Sequence, residues 1–120
     1  MNLYGAPPPY PTGISRGAAS ATTTADTQVL PAPGQGFALM ITMLVVYNAH
    51  STTGTGVSLK SGSTVIFGPI PAPSGKGGCV LRFDPPLPCN ENEAFNFATQ
   101  DAVTTVTVSA IGYRTRANQT

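Results

Sequence analysis

His50 is the one histidine in these 120 residues, and Cys79 and Cys89 are the only cysteines, so nucleophilic or general-base chemistry has to be built around them. Acyl transfer of that kind needs a nucleophile, a base and a group that orients the base. Cys79 or Cys89 with His50 and Asp84 or Asp101 would supply the residue types, but nothing in their spacing supports the set. A histidine at the edge of a polar loop reads instead as solvated surface. Asp84, Glu91, Glu93 and Asp101 could offer a carboxylate pair for glycoside hydrolysis, yet that chemistry also wants a cleft lined with aromatics. Four acids around turns read as solvated charge.

Oxygen ligands for calcium are present where Glu91 and Glu93 alternate with Asn90 and Asn92, without the glycine and terminal bidentate acid of a helix-loop-helix calcium loop. One histidine and one pair of cysteines cannot complete a zinc cage from a single chain. Lys76 sits among glycines in SGKGG, but the phosphate-loop spacing is missing and no helix pattern follows. Asn118-Gln119-Thr120 matches the glycosylation triplet and reads as chance. The expectation is a protein with no catalytic residues, no metal and no cofactor. Cys79 and Cys89, ten positions apart, would form a disulfide if they lay opposite each other across a hairpin in an oxidising compartment, and would stay thiols in the cytosol.

Charged residues make up 9% of the chain against the roughly 25% usual in soluble domains, and the net charge is +1. A surface of Thr, Ser, Gly, Asn and Pro carries little long-range repulsion, which favours self-association or a place in a larger assembly. The basic residues Arg16, Lys60, Lys76, Arg82, Arg114 and Arg116 are scattered, with no aromatics interleaved, so no nucleic-acid footprint is expected. The stretch MNLYGAPPPYPTG lacks the basic start and apolar run of a secretory signal. The apolar run FALMITMLVVY, residues 37–47, is about half of what a helix needs to cross a bilayer, so no membrane anchor is expected.

Residues 1–19 hold Pro7, Pro8, Pro9 and Pro11 with Gly5, Gly13 and Gly17, a composition that disfavours helix and ladder pairing and predicts an extended arm. Its Leu3, Tyr4, Tyr10 and Ile14 are large apolar groups that a purely solvated tail would not need, and they are the candidate anchors for a neighbour. From residue 20 to 116 the text turns to Thr, Val and short apolar runs between Pro and Gly clusters, the pattern of strands. Residues 117–120 are expected to fray.

Strands are predicted within residues 24–32, over 37–48, over 57–62 and 63–69 as a hairpin turning at Ser61 and Gly62, over 79–84, over 93–100, and within 102–115. Residues 69–78 and the stretch DPPLPCNEN should be loops. In CVLRFD, Val80, Arg82 and Asp84 share one face and Cys79, Leu81 and Phe83 the other. The unbroken apolarity of residues 37–48 suggests burial on both faces, one by the core and one by the arm or a neighbouring copy. Seven strands without a helix predict an all-β fold, a two-sheet sandwich that is Greek-key or jelly-roll-like, carrying an extended Pro-rich N-terminal arm.

Residues 45–115, from VVYNAHSTTGTGVSLKSGSTVIFGP through CVLRFDPPLPCNENEAFNFATQ to VTTVTVSAIGYRT, resemble small β-sandwich virion proteins of tailed bacteriophages. The resemblance rests on a strand ending in YNA, a hairpin of the V-L-x-x-G-x-T-V kind, an F-x-x-P-L edge, an Asn/Glu loop and a closing GYR. It implies a capsid decoration or cement protein, made in the host cytoplasm, that binds the major capsid protein as a dimer or trimer. It brings no catalytic residues. The alternative is a carbohydrate- or receptor-binding sandwich of a head fibre or tail, with Tyr47, His50 and Tyr113 as sugar contacts.

Overall fold

A computed structural model describes residues 12–117. Eight strands follow in order: β1 (Thr12–Ala21), β2 (Thr27–Leu30), β3 (Phe37–Asn48), β4 (Thr55–Ser61), β5 (Thr64–Ala72), β6 (Gly77–Glu91), β7 (Phe95–Thr99) and β8 (Val106–Arg116). They form two four-stranded antiparallel sheets, ordered β1-β8-β3-β6 and β2-β7-β4-β5. The pairs β1–β8, β2–β7, β3–β6 and β4–β5 are nested one inside the next, as in a long hairpin rolled over on itself. That winding is a jelly roll, so the predicted all-β sandwich holds.

The hairpin at the centre of the roll turns through Gly62 and Ser63. Gly62 has φ +59° and Ser63 is not in the left-handed region, the pattern of a turn with glycine at its first central position. The core between the sheets is filled by alternate residues of each strand. Phe95 and Phe97 from β7, Leu39, Ile41, Leu44 and Val46 from β3, Val57 and Leu59 from β4, and Val106 and Val108 from β8 are all buried. Burying each of these side chains stabilises the fold by roughly 1.5–3 kcal/mol relative to exposure.

Several sequence expectations are corrected. Residues 12–19, assigned to the arm, belong to β1, which pairs with β8 in register from Ile14↔Tyr113 to Ala21↔Val106. Ile14 is therefore a strand residue, 63% exposed, while Leu3, Tyr4 and Tyr10 lie outside the described residues. The strands number eight among the described residues, and β2 is only Thr27–Leu30. The expected loop at 69–78 shrinks to residues 73–76, because β5 runs to Ala72 and β6 starts at Gly77.

β6 also continues through Pro85, Pro86 and Pro88, where a break was expected. It is an edge strand, so a missing N–H can face away from the ladder, and its register against β3 slips between Arg82 and Leu87 to absorb the prolines. Ala117 donates its N–H to the Gly36 carbonyl at 2.9 Å and is not frayed; residues 118–120, with the Asn118 triplet, lie outside the described residues.

Among the described residues β3 is fully buried on its core face alone. Its register slips between Ile41 and Met43 against both neighbours, and the extra residue, Thr42, donates its hydroxyl to the Ile111 carbonyl at 3.0 Å. The slip lets Ile41 and Leu44, three apart, both reach the core. Met40, Met43 and Val45 are half-buried on the outer face, and Tyr47 is 39% exposed there.

Candidate functional site

His50 and Glu93 fall into two polar clusters at opposite ends of β4, while Cys79 and Asp84 lie apart from both, along β6. At the first end, fully buried Asn48 closes β3. Its Nδ2 donates to the carbonyls of Thr53 (3.0 Å) and Ala72 (2.9 Å), and its Oδ1 accepts the His50 N–H at 2.9 Å. His50 Nδ1 in turn accepts the backbone N–H groups of Thr52 (3.1 Å) and Thr53 (3.0 Å). The imidazole is thus used to fasten the β3–β4 loop, and among the described residues no hydrogen bond joins it to Cys79, Cys89, Asp84 or Asp101. The base of the imagined triad is occupied with structure.

At the other end Ser61, fully buried, donates its hydroxyl to Glu93 Oε1 at 2.7 Å and accepts the Asn90 N–H at 2.8 Å. Asn90 Nδ2 donates to the same Glu93 oxygen at 3.1 Å. Cys89 lies in this cluster. Burial pushes its thiol up to about 11, a hydrogen bond with Ser61 works the other way, and the Glu93 charge adds to the rise. Such a thiol is protonated at neutral pH and is a poor nucleophile.

Glu91 and Asn92 also hold backbone. Glu91 Oε2 accepts the Gly36 N–H at 2.8 Å and Asn92 Oδ1 accepts the Gly34 N–H at 3.1 Å, which pins the β2–β3 loop to the end of β6. The Asn/Glu run considered for calcium is spent on these bonds, and no group of three or more His, Cys, Asp or Glu among the described residues is placed to hold a metal ion.

The disulfide between Cys79 and Cys89 is not formed; both are free. They lie on one strand, β6, and not on two strands facing across a hairpin. At about 3.3 Å per residue they stand more than about 20 Å apart, far beyond disulfide reach.

An open cleft of about 380 Å³ is lined by Gly54, Thr55, Gly56, Pro69, Pro71, Gln100 and Asp101. It holds one carboxylate and no aromatic ring, so it has neither an acid–base pair nor a sugar platform. The three residues considered as sugar contacts are not gathered. Tyr47 pairs with Thr107 while Tyr113 pairs with Met40, six residues further along β8, at the far end of the sheet.

What the fold does assemble is the outer face of the β1-β8-β3-β6 sheet. Cross-strand rows place Ala18, Ser109, Val45 and Val80 side by side, and Arg16, Ile111, Met43 and Arg82 in the next row. Val80 is 59% exposed, and a shallow groove of about 190 Å³ runs between Arg16, Met43, Val45, Ser109 and Ile111. The face is apolar in the middle with a guanidinium at each side. Sequence reasoning found its β3 part through the apolarity of residues 37–48, and missed Arg16, Ala18 and Val80 because their place depends on pairing across four strands. Comparison with models of protein families, with curated proteins and with solved structures finds no match to this chain.

Proposed function

We propose that this chain is a non-enzymatic virion structural protein, a decoration or cement protein that binds the major capsid protein and stabilises the outer shell of a tailed bacteriophage. It is made in the host cytoplasm and carried on the capsid surface as a homo-oligomer. The observation that carries the proposal is the apolar outer sheet face with exposed Val80, Tyr47 and Ile14, on a chain whose histidine and buried cysteine are both committed to structure. An exposed apolar patch rimmed by charge is the usual mark of a protein–protein contact. The jelly roll is an architecture shared by viral capsid proteins, lectins and cupins, which adds support by analogy of fold alone.

The test is cosedimentation with phage shells that lack the protein. Saturable binding is expected, and Val80→Glu, on an exposed strand position, is expected to weaken it at least about tenfold by placing a carboxylate in the apolar row. A variant starting at Thr12 measures what Leu3, Tyr4 and Tyr10 add. Absence of binding, or binding that both variants leave undiminished, would overturn the proposal. Clear hits on a glycan array in its place would favour the carbohydrate- or receptor-binding alternative.

A further inference from the structure

A two-sheet sandwich has four edge strands, and each exposes unpaired backbone groups that invite another strand unless something blocks them. Here the edges are β1 and β6 on one sheet and β2 and β5 on the other. Three are blocked. β2 is four residues long and slips register between Gln28 and Leu30. β5 carries Pro69 and Pro71 and slips register twice. β6 carries Pro85, Pro86 and Pro88 and also slips twice.

β1 is far less protected: its one register slip lies at its very start, between Thr12 and Ile14. It is ten residues long, contains no proline, keeps an unbroken register from Ile14 to Ala21, and bears a single charge, Arg16. Among the described residues it pairs with β8 alone. We infer that the free edge of β1 pairs antiparallel with β1 of a second copy, joining two sandwiches through a continuous eight-stranded sheet about a twofold axis.

Self-complementarity favours a second copy. In an antiparallel pair centred on Gly17 or Ala18, Arg16 stands opposite Ala18 or Ser20 of the other chain, so the two guanidiniums do not face each other. Ala18 lies at or next to the axis, and the nearest large outward side chain, Arg16, faces only Ala18 or Ser20 of the other copy, so the backbones can approach to the ~4.8 Å of a sheet. About eight backbone hydrogen bonds would form. The chain's own residues 1–11 are poor occupants of that edge, because Pro7, Pro8, Pro9 and Pro11 have no N–H to donate to a ladder. The pairing also makes the apolar rows of the two outer faces continuous.

This inference deepens the homo-oligomer part of the proposed function but does not need the shell: mass in solution and shell binding are separate measurements, and either can fail alone. Light scattering after size exclusion at about 50 μM is expected to give twice the 12.3 kDa chain mass. The double substitution Ala18→Lys/Ser20→Lys, at exposed outward positions, puts cations against each other or against Arg16 across the axis and is expected to return a folded monomer. Val80→Lys, on the opposite edge of the same face, is expected to leave the dimer intact. A monomer or a trimer for the unmodified chain, a dimer that survives A18K/S20K, or a dimer lost in V80K would each overturn the inference. Should A18K/S20K fail to fold, hydrogen exchange on the unmodified protein decides: alternate amides of Ile14–Ala21 that do not bond β8 must be protected at 50 μM and exposed on dilution, and free exchange at both concentrations overturns the pairing.

Discussion

Cys89 sits inside a hydrogen-bonded cluster with Ser61 and Glu93, and burial keeps its thiol protonated up to about 11, against an ordinary value of 9.0. In the unfolded chain the thiol ionises first as pH rises, so unfolding releases a proton between those two values. The stability contributed by the neutral thiol is whole below pH 9 and is lost as pH climbs toward 11. Denaturant titrations at pH 7 and pH 10.5 on the unmodified protein and on Cys89→Ala check this: the unmodified protein should lose more stability over that interval than the variant, and equal losses contradict it. The sequence marked Cys89 as a candidate nucleophile or disulfide partner on residue type alone. Its chemistry is decided first by burial, with Ser61 opposing and Glu93 adding to the rise from 28 and 4 positions away, surroundings that no local pattern reveals.

Among the elements, β1 departs most from expectation, because its residues 12–19 lie in the Pro/Gly-rich stretch whose composition predicts an arm. Gly13 and Gly17 with the preceding prolines made residues 1–19 look unable to pair. Gly17 is instead required by packing: a Cβ there would sit 2.5 Å from the Val29 carbonyl oxygen, so β1 and β2 close on each other only with glycine at that point. A chain starting at Thr12 keeps all of β1 and is expected to melt within about 3 °C of the full chain. A chain starting at Ser20 loses the partner of β8 and uncovers the edge beside Val108 and Ala110. Its melt is expected to fall by more than about 10 °C or lose cooperativity, a scale set by a few kcal/mol in a domain of this size. Circular dichroism melts of the two measure it. An unchanged melt for the shorter chain would mean that β1 adds nothing to the fold.

At the scale of the whole molecule, the low charge content shapes how copies meet. Five acids and six bases on 120 residues leave a net charge of +1, and among the described residues one ion pair, Lys60 to Asp26 at 2.7 Å, joins β4 to the β1–β2 loop. Association through backbone edges and apolar faces draws little on Coulomb attraction, so salt has little to screen. The dimer dissociation constant is expected to change by less than about threefold between 0.05 and 0.5 M NaCl, measured by sedimentation. A loss of ten-fold or more with salt would show that charge pairing, and not strand pairing, holds the copies together.

Composition and period alone determined the all-β class, a hairpin at Gly62, and the alternation of Cys79, Leu81 and Phe83 against Val80, Arg82 and Asp84. Each follows from neighbours within a few residues, where turn chemistry and the two-residue repeat of a strand act directly. The jelly-roll winding, the continuation of β6 through its prolines, the slip at Thr42 and the capture of His50 and Glu93 by distant backbone were decided only by the tertiary structure. Those features rest on pairings between residues tens of positions apart, whose free energy depends on which strand lies at an edge and which side chain meets which carbonyl. No local propensity contains that information.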